Sequence, residues 1–599
     1  MKSILNAFLL CLLALSSFAQ SKNQKTTDPL AGIDTLFNRI LKDQVAAGFS
    51  VAVVKGDEII YSKGFGYRDV ENKKPVTPNT LFAIGSSSKA FTASLLGLLR
   101  KEGKLTFEDK AVSLLPQLQF YNEEMNSQII LRDLMAHRTG LSRYDFSWLL
   151  FNTPNRDSII ARVKYMKPSA AVREKWFYNN FMYLAQGMIV ERISSKTWEQ
   201  NIKEKFFIPL EMNRSTTDIK TFQQDSDASL PYTVANGKEI KKVDYYNING
   251  MGPAGSINSS ANDMANWLKV WISGGFFKKK EILPTDYIRE AASSQMVMSA
   301  GLPSVHQDIF LANYGLGWMI GSYRGHYMVE HGGNINGFSA NVAFLPSDKL
   351  GIVVLSNQNG SQVPAVVRNS IADRLLNLQT IDWNGEAREK NKASMQVNKG
   401  TKNAPVLNTN PSHPLKDYVG SFENPAYGII KITLEKNELY TVLSDEKVVL
   451  KHMYYDVFDP RSIDKNGVAD TVQSSLMFNF SSGVDGKIQG VGIFLDGSEK
   501  PVMFDFKPEV KILSLKELQK YTGEYTLGPT AVKIFLKGNT LMVNVPGQPE
   551  YETIATGTDT FNLKALKGFS VKFDVAANGQ VNSLSFIQPN GVFKAVKKK

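Results

Sequence analysis

The sequence predicts an α+β protein: one antiparallel sheet built from two distant parts of the chain, flanked by helices and interrupted by an inserted helical lobe, then two small all-β domains. Three observations carry this. A helix-then-hairpin pattern near the start returns as hairpin-then-helix around residues 342–378. The stretch between them reads as mostly helical. The tail changes to period-two alternation and repeats itself.

The chain opens with Lys2 and an apolar run, Ile4–Leu15, that exits through Ser16-Ser17-Phe18-Ala19-Gln20. A short basic start, an apolar stretch of this length and small residues at its end read as a secretory signal peptide over residues 1–19, cut after Ala19. The run is too short for a comfortable membrane span, and no later segment is apolar enough for one. The mature protein is therefore expected to be exported, periplasmic or secreted, with no stable membrane span. The single cysteine, Cys11, lies inside the signal. Leu9-Leu10 stand before it where a lipid-anchor signal needs small residues. The mature chain then has no disulfides and no thiolate chemistry.

Residues 28–385 read as the main domain. Asp34 to Val45 carries Leu36, Ile40 and Leu41 at helical spacing. Val51-Ala52-Val53-Val54 and Glu58-Ile59-Ile60-Tyr61 flank the turn Lys55-Gly56-Asp57. Val342-Ala343-Phe344-Leu345 and Ile352-Val353-Val354-Leu355 flank Pro346–Lys349, and a helical run follows from Val363 to Leu378. A cleft is expected where the sheet meets the inserted lobe.

Residues 386–414 turn polar, rich in Lys, Asn and Thr and without periodicity, and read as a linker. Residues 415–510 and 511–599 then form two β-rich domains. Ile430, Ile432 and Leu434 alternate with polar neighbours, as do Val532, Ile534 and Leu536. Tyr418-Val419-Gly420-Ser421-Phe422 corresponds to Tyr521-Thr522-Gly523-Glu524-Tyr525, and Asp485-Gly486-Lys487-Ile488 to Asn578-Gly579-Gln580-Val581. Two related units explain this better than one irregular domain.

The bulk numbers exclude some classes. With 599 residues, 43% hydrophobic and 21% charged, the composition is that of an ordinary globular protein too long for one core. The net charge of +12 is spread out, with runs only at Lys278–Lys280 and Lys597–Lys599. These read as solvated surface, and nucleic-acid binding is not expected. Six histidines are scattered without His-Glu-x-x-His or paired-ligand spacing, so neither a metal nor another cofactor is expected. No Gly-x-Ser-x-Gly elbow occurs, which disfavours an α/β-hydrolase.

The chemistry-bearing residues fall into three short motifs. Ser86-Ser87-Ser88-Lys89 follows Phe82-Ala83-Ile84-Gly85 and enters an Ala- and Leu-rich run to Arg100 that Gly103 can stop. At the start of such a helix Ser86 and Lys89 share a face one turn apart, so the amine can take the hydroxyl proton. The helix start also favours negative charge beside the nucleophile. Ser-x-x-Lys alone is weak, and it recurs at Ser444–Lys447 and Ser462–Lys465 in the β-rich tail. A serine cap followed by a solvated lysine is the plain alternative. Tyr178-Asn179-Asn180 heads a second helical run, where a phenol can relay a proton and an amide can bind a substrate carbonyl; a core tyrosine with an Asn cap is the alternative. His331-Gly332-Gly333-Asn334 precedes the second hairpin. Paired glycines let a substrate backbone lie against a strand edge and let the next N–H meet an oxyanion; a glycine-rich turn is the alternative.

Taken in order, the three motifs resemble the signature of the class C β-lactamase and penicillin-binding-protein family, over roughly Pro29 to Leu378. Leu131-Arg132-Asp133-Leu134-Met135-Ala136-His137-Arg138-Thr139-Gly140-Leu141, Pro253–Ile257 with Asp263-Met264, and Tyr314–Trp318 are similar to supporting phrases of that family. They read as structural, His137 included, which is expected to fix a loop. The resemblance implies a β-lactamase/transpeptidase-like fold and an acyl-enzyme mechanism. Ser86 is then the nucleophile, with Lys89 and Tyr178 handling its proton. Asn180, His331, Gly332 and Gly333 bind substrate, and the Ser86 and Asn334 N–H groups form the oxyanion hole.

One departure matters. His331 stands where β-lactamases of this class carry the lysine of Lys-Thr-Gly, and a histidine is mostly neutral at pH 7. This shifts the expected substrate from a β-lactam toward an amide, a peptide such as a D-amino-acid peptide, or a small ester. Cell-wall peptides are among the candidates. A β-lactamase and a non-catalytic penicillin-binding-like envelope protein are the alternatives. The two tail domains are expected to be binding or positioning modules.

Overall fold

The computed structural model describes residues 28–598 apart from 236, 304, 401–408, 445, 464–468, 470–473, 475, 484–485, 497–499 and 567, and apart from the side chains of 394–400. The expected signal peptide and Cys11 lie outside the described residues. Packing divides the chain into two compact units, and not in chain order. The first takes in residues up to Lys104 and Ser195–Gly400; the second takes in Leu105–Ser194 and the residues beyond 400.

The first unit is built on a nine-stranded sheet. Its strands are β1 (Gly48–Lys55), β2 (Glu58–Asp69), β3 (Lys74–Pro75), β4 (Met296–Ser299), β5 (Phe310–Tyr314), β6 (Met319–Tyr323), β7 (His326–Ile335), β8 (Phe338–Leu345) and β9 (Leu350–Ser356), in the order β4-β5-β6-β7-β8-β9-β1-β2-β3. The two expected hairpins are present: Lys55 pairs with Glu58 around Gly56, and Leu345 with Leu350. They join where β1 lies antiparallel to β9, Val51 opposite Val354. This puts both ends of the domain in one sheet. Helices cover both faces, so β8 and β9 are buried along their whole length and read as unbroken apolar runs.

On one face, α1 (Ile33–Asp43) buries Ile33, Phe37 and Ile40 at helical spacing. They pack with Phe49, Val51, Val53, Ile352 and Val354 of the sheet and with Val366, Val367 and Ile371 of the later helix Val363–Leu375. Each such apolar side chain contributes about 1.5–3 kcal/mol by leaving water. The other face carries the helix Ala261–Ile272. It lies so close to β9 that a Cβ on Gly351 would stand 2.8 Å from Ile272 and 3.2 Å from Leu268. Beneath it runs α2 (Ser88–Lys101), buried without interruption from Ser88 to Gly97. Its polar side chains are satisfied locally: Ser88 Oγ accepts from the Ile257 N–H (3.1 Å), and Thr92 Oγ1 donates to the Pro253 carbonyl (2.6 Å).

The stretch read as a linker from residue 386 differs. Trp383–Gly400 is helical. Its first turn is anchored, because Trp383 and Ala387 are buried in the same core as α1. Trp383 Nε1 donates to Asp373 (2.9 Å), and Asn384 exchanges hydrogen bonds with Gln44 (2.8 Å) and Asp43 (2.6 Å). Two apolar anchors and a few amides are too sparse to show as periodicity.

In the second unit, the phrase from Leu131 to Leu141 is structural, as expected. Asp133 is fully buried; it accepts from the Ile130 N–H (3.0 Å) and pairs with Arg138 (2.6 Å) and Arg173 (2.8 Å). The tail forms two closed barrels, from Gly420–Asn424 to Val502–Lys507 and from Gly523–Leu527 to Gly591–Lys597. Each closes by pairing its last strand with its first, Phe422 with Phe506 and Tyr525 with Lys597. The repeated tyrosines do the same work. Tyr418 and Tyr521 are buried, and each donates its hydroxyl to an aspartate 38 residues on, Asp456 and Asp559. The second sequence correspondence also holds at its glycines: Gly486 and Gly579 both turn with positive φ, 73° and 83°.

Candidate active site

In the first unit, Ser86 sits in a single 3-10 turn, Gly85–Ser87, that runs into α2. It is the partly exposed residue in a run, Leu81 to Ala90, whose other members are buried. Lys89, one turn on, is 0% exposed. Its Nζ lies 3.2 Å from Ser86 Oγ and donates to the Ala254 carbonyl at 2.7 Å. The alternative reading of a solvated lysine is therefore excluded.

The turn is held against β7. Ser87 Oγ donates to the His331 carbonyl (2.9 Å). A Cβ on Gly333 would fall 1.9 Å from the Ile84 carbonyl oxygen and 3.2 Å from the Ser86 nitrogen; one on Gly85 would fall 2.9 Å from the Asn334 nitrogen. Both glycines are required by this close approach, and Gly85 also turns with φ +50°. β7 pairs with β6 only as far as Glu330 opposite Met319, so from His331 onward its edge is left to the Ser86 turn. The two glycines differ. Gly333 is buried between strand and turn, whereas Gly332 is half-buried with nothing nearer to its missing Cβ than Ala340 O at 3.7 Å. Asn334 is exposed and its Oδ1 accepts from Ser339 (2.7 Å).

His331, grouped by the resemblance with the substrate-binding residues, turns its side chain inward and is 1% exposed. Its Nδ1 lies 2.7 Å from the Gly332 carbonyl and so must carry a proton. Nε2 then accepts from the Tyr314 hydroxyl at 3.0 Å. Burial, reinforced by the nearby Lys89, pushes its pKa down to about 3. The imidazole is neutral and fixed in one tautomer. The imidazole is thus not presented at the surface of the strand.

Tyr178 and Asn180 belong to the second unit, at the head of the helix Asn180–Ser194. Tyr178 is buried, with its ring 4.4 Å from the His137 ring and the Arg143 guanidinium 4.8 Å above it. His137, at φ +55°, fixes this loop directly. Its carbonyl accepts from the Phe177 N–H (3.0 Å) and its Nδ1 from the Asn179 N–H (3.2 Å). Asn180 Nδ2 donates to Asp145 Oδ1 (2.8 Å), which also takes Trp148 Nε1 (3.0 Å), while Asp145 Oδ2 accepts from Arg143 Nε (2.6 Å).

Arg143 and Asp145 were not singled out by sequence, and Tyr314 was read only as part of a structural phrase. Opposite charges two residues apart just after the Thr139-Gly140-Leu141 turn, ahead of the largely apolar Phe146–Phe151, were the available signal for Arg143 and Asp145. Of the tail copies of Ser-x-x-Lys, Ser444–Lys447 has another role, and Lys465 of the second lies outside the described residues. Ser444 bonds Leu149 and Leu150, and Lys447 pairs with Glu435 at 2.7 Å. Among the described residues, no helix is long and apolar enough to cross a membrane.

Known proteins share both parts of this architecture. The Beta-lactamase family profile matches residues 33–376, and a Domain of unknown function (DUF3471) matches residues 404–510. Unguisins hydrolase ungD' of Aspergillus campestris (strain IBT 28561) is 26% identical over 522 residues, 80% of this chain and 92% of that protein. Protein flp of Staphylococcus aureus (strain MW2) is 25% identical over 352 residues, 57% of this chain and 66% of that protein. The octameric penicillin-binding protein homologue from Pyrococcus abyssi superposes with a TM-score of 0.52 at 20% identity, over 79% of this chain and 99% of that one. Matched by the family profile over more than half its length, the chain belongs to the beta-lactamase family, whose members are serine hydrolases of this fold.

Proposed function

We propose that this protein is an exported serine hydrolase that works through an acyl-enzyme on amide, peptide or small ester substrates. The observation that carries the reading is the buried Lys89 Nζ 3.2 Å from the partly exposed Ser86 Oγ, at the head of a buried helix. Ser86 Oγ attacks the acyl carbon, and its proton passes to Lys89, which must be neutral to accept it. The Ser86 and Asn334 N–H groups are assigned to the oxyanion, and the required glycines at 85 and 333 support that assignment. Tyr178 is assigned the proton relay to the leaving group and Asn180 the orientation of the substrate amide, both from the family motif. Water then releases the acyl group and returns the proton to Ser86.

A neutral His331 in place of a permanently charged lysine argues against a substrate whose carboxylate needs a cation there, and so against β-lactams. The hydrolase name of the Aspergillus relative agrees with a hydrolytic role. Export rests on the signal-like residues 1–19 alone.

A fluorophosphonate probe tests the reading. Labelling that disappears in Ser86→Ala supports the enzyme; an unlabelled wild-type protein supports a non-catalytic binder. With purified protein, p-nitrophenyl acetate or a D-amino-acid amide is expected to turn over faster than nitrocefin, and a dominant nitrocefin rate reverses the substrate assignment.

A further inference from the structure

The short helix Asp145–Leu149 is held by the first barrel at both ends. At its start the Phe146 N–H donates to Asp496 Oδ1 (3.3 Å), and Tyr427 donates its hydroxyl to Asp496 Oδ2 (3.0 Å) while its ring packs on Tyr144 at 5.6 Å. Ser147 Oγ donates to the Ala426 carbonyl (2.8 Å). At its end Ser444 donates its N–H to the Leu150 carbonyl (3.1 Å) and its hydroxyl to the Leu149 carbonyl (2.8 Å). Phe151 packs on Phe504 at 5.8 Å, and a Cβ on Gly428 would stand 2.9 Å from the Phe151 ring. The same helix begins with Asp145, whose carboxylate fixes Asn180 and Arg143, and Arg143 covers the Tyr178 ring.

We infer that the first barrel is part of the substrate-positioning apparatus: Asp496, Tyr427 and Ser444 hold the Asp145 turn so that Asp145 fixes the Asn180 amide. This rests on the reading of Asn180 as the residue that orients the substrate amide. Asp496 and Asp145 are positioning residues, since neither is argued to touch substrate. Asp496 is half-buried, and that burial raises its carboxyl pKa above the ordinary value. Each of its two oxygens accepts one hydrogen bond, from the Phe146 N–H and from the Tyr427 hydroxyl.

A double-mutant cycle on the full chain tests this, using a D-amino-acid p-nitroanilide as the amide probe. Asp496→Ala is expected to lower kcat/KM by about tenfold, the scale of one hydrogen bond to a charged group. Asp496→Asn, which keeps an acceptor oxygen, is expected to recover most of the loss. In an Asn180→Ala background the same change is expected to cost less than about twofold, because residues acting through one another do not add. No loss in the single variant, or a loss that multiplies in the double variant, overturns the inference.

Hydrogen exchange gives a reading independent of activity. Asp496→Ala is expected to speed exchange in peptides covering residues 143–150 and 177–182 and to leave Ser86–Lys101 unchanged; unchanged protection in the first two overturns the inference. If the wild-type protein neither hydrolyses the probe nor takes the fluorophosphonate, the hydrolase reading fails, and exchange still decides whether the barrel holds Asn180. Should Asp496→Ala fail to fold, Tyr427→Phe removes one hydroxyl and carries the same measurements with the same signs.

Discussion

Gly333 offers the sharpest test of how Ser86 is held. A methyl group there would lie 1.9 Å from the Ile84 carbonyl oxygen, 2.9 Å from the Ile84 carbonyl carbon and 3.2 Å from the Ser86 nitrogen. All three are backbone atoms, so no flexible side chain can swing aside. Reaching ordinary contact at 3.4 Å from 1.9 Å requires β7 and the Gly85–Ser87 turn to separate by about 1.5 Å, and a displacement of even about 1 Å at a reacting centre costs about 10²-fold in rate. Separating strand from turn would also pull the two assigned oxyanion donors apart, worth about 10²–10³-fold for each donor lost. Gly333→Ala is therefore expected to slow fluorophosphonate labelling of Ser86, and kcat/KM for p-nitrophenyl acetate, by at least about 10²-fold. Overpacking adds a stability cost of about 1–3 kcal/mol, read by denaturant unfolding. Gly332→Ala is the neighbouring control. Its Cβ would meet only Ala340 O at 3.7 Å, so stability is expected to stay within about 0.5 kcal/mol of wild type. A Gly333→Ala protein that labels at the wild-type rate would refute the close approach from which this reasoning starts.

Three further outcomes are expected. Lys89→Ala should lose about 10³-fold or more in acylation rate, as when one member of a nucleophile–base unit is removed, and near-normal turnover would end the lysine-base assignment. His331 has a folded pKa near 3, below its ordinary 6.5, so the unfolded chain takes up the proton first on acidification. Its contribution is full above about pH 6.5 and is lost toward pH 3, at up to about 1.4 kcal/mol per pH unit. His331→Gln should flatten that part of the stability profile, and superimposable wild-type and variant profiles would show that the buried imidazole is not the cause. Trp383→Ala should destabilise the first unit by about 3–5 kcal/mol, since it empties a buried site and removes one of the donors to Asp373. A loss under about 0.5 kcal/mol, seen by thermal unfolding, would return the start of this helix to the role of a linker.

Packing changes what truncation of the tail is expected to do. Read along the chain, the tail is a pair of binding or positioning modules, and deleting everything after Glu386 is expected to leave small-ester turnover and impair larger substrates. The bonds from Asp496, Ala426 and Ser444 to residues 146–150 mean that removal would instead strip the support of Asp145 and Asn180.

What the residues alone determined is what local physics writes into adjacent positions. The hairpins at Gly56 and Lys349 follow from turn chemistry between apolar runs. The barrels follow from alternation, and their duplication from the matched Tyr418 and Tyr521 segments. The juxtaposition of Ser86 and Lys89 follows from one-turn spacing at a helix start, where the two have little choice but to share a face. Only the tertiary structure decided the rest. The neutrality of His331 depends on burial beside Tyr314 and Lys89. The roles of Arg143 and Asp145 depend on partners brought in by the chain path, and residues 105–194 group with the barrels through contacts with residues far along the chain. Desolvation and hydrogen bonding act between atoms near in space, and a pair separated by hundreds of residues, such as Phe146 and Asp496, leaves no trace in the order of the letters.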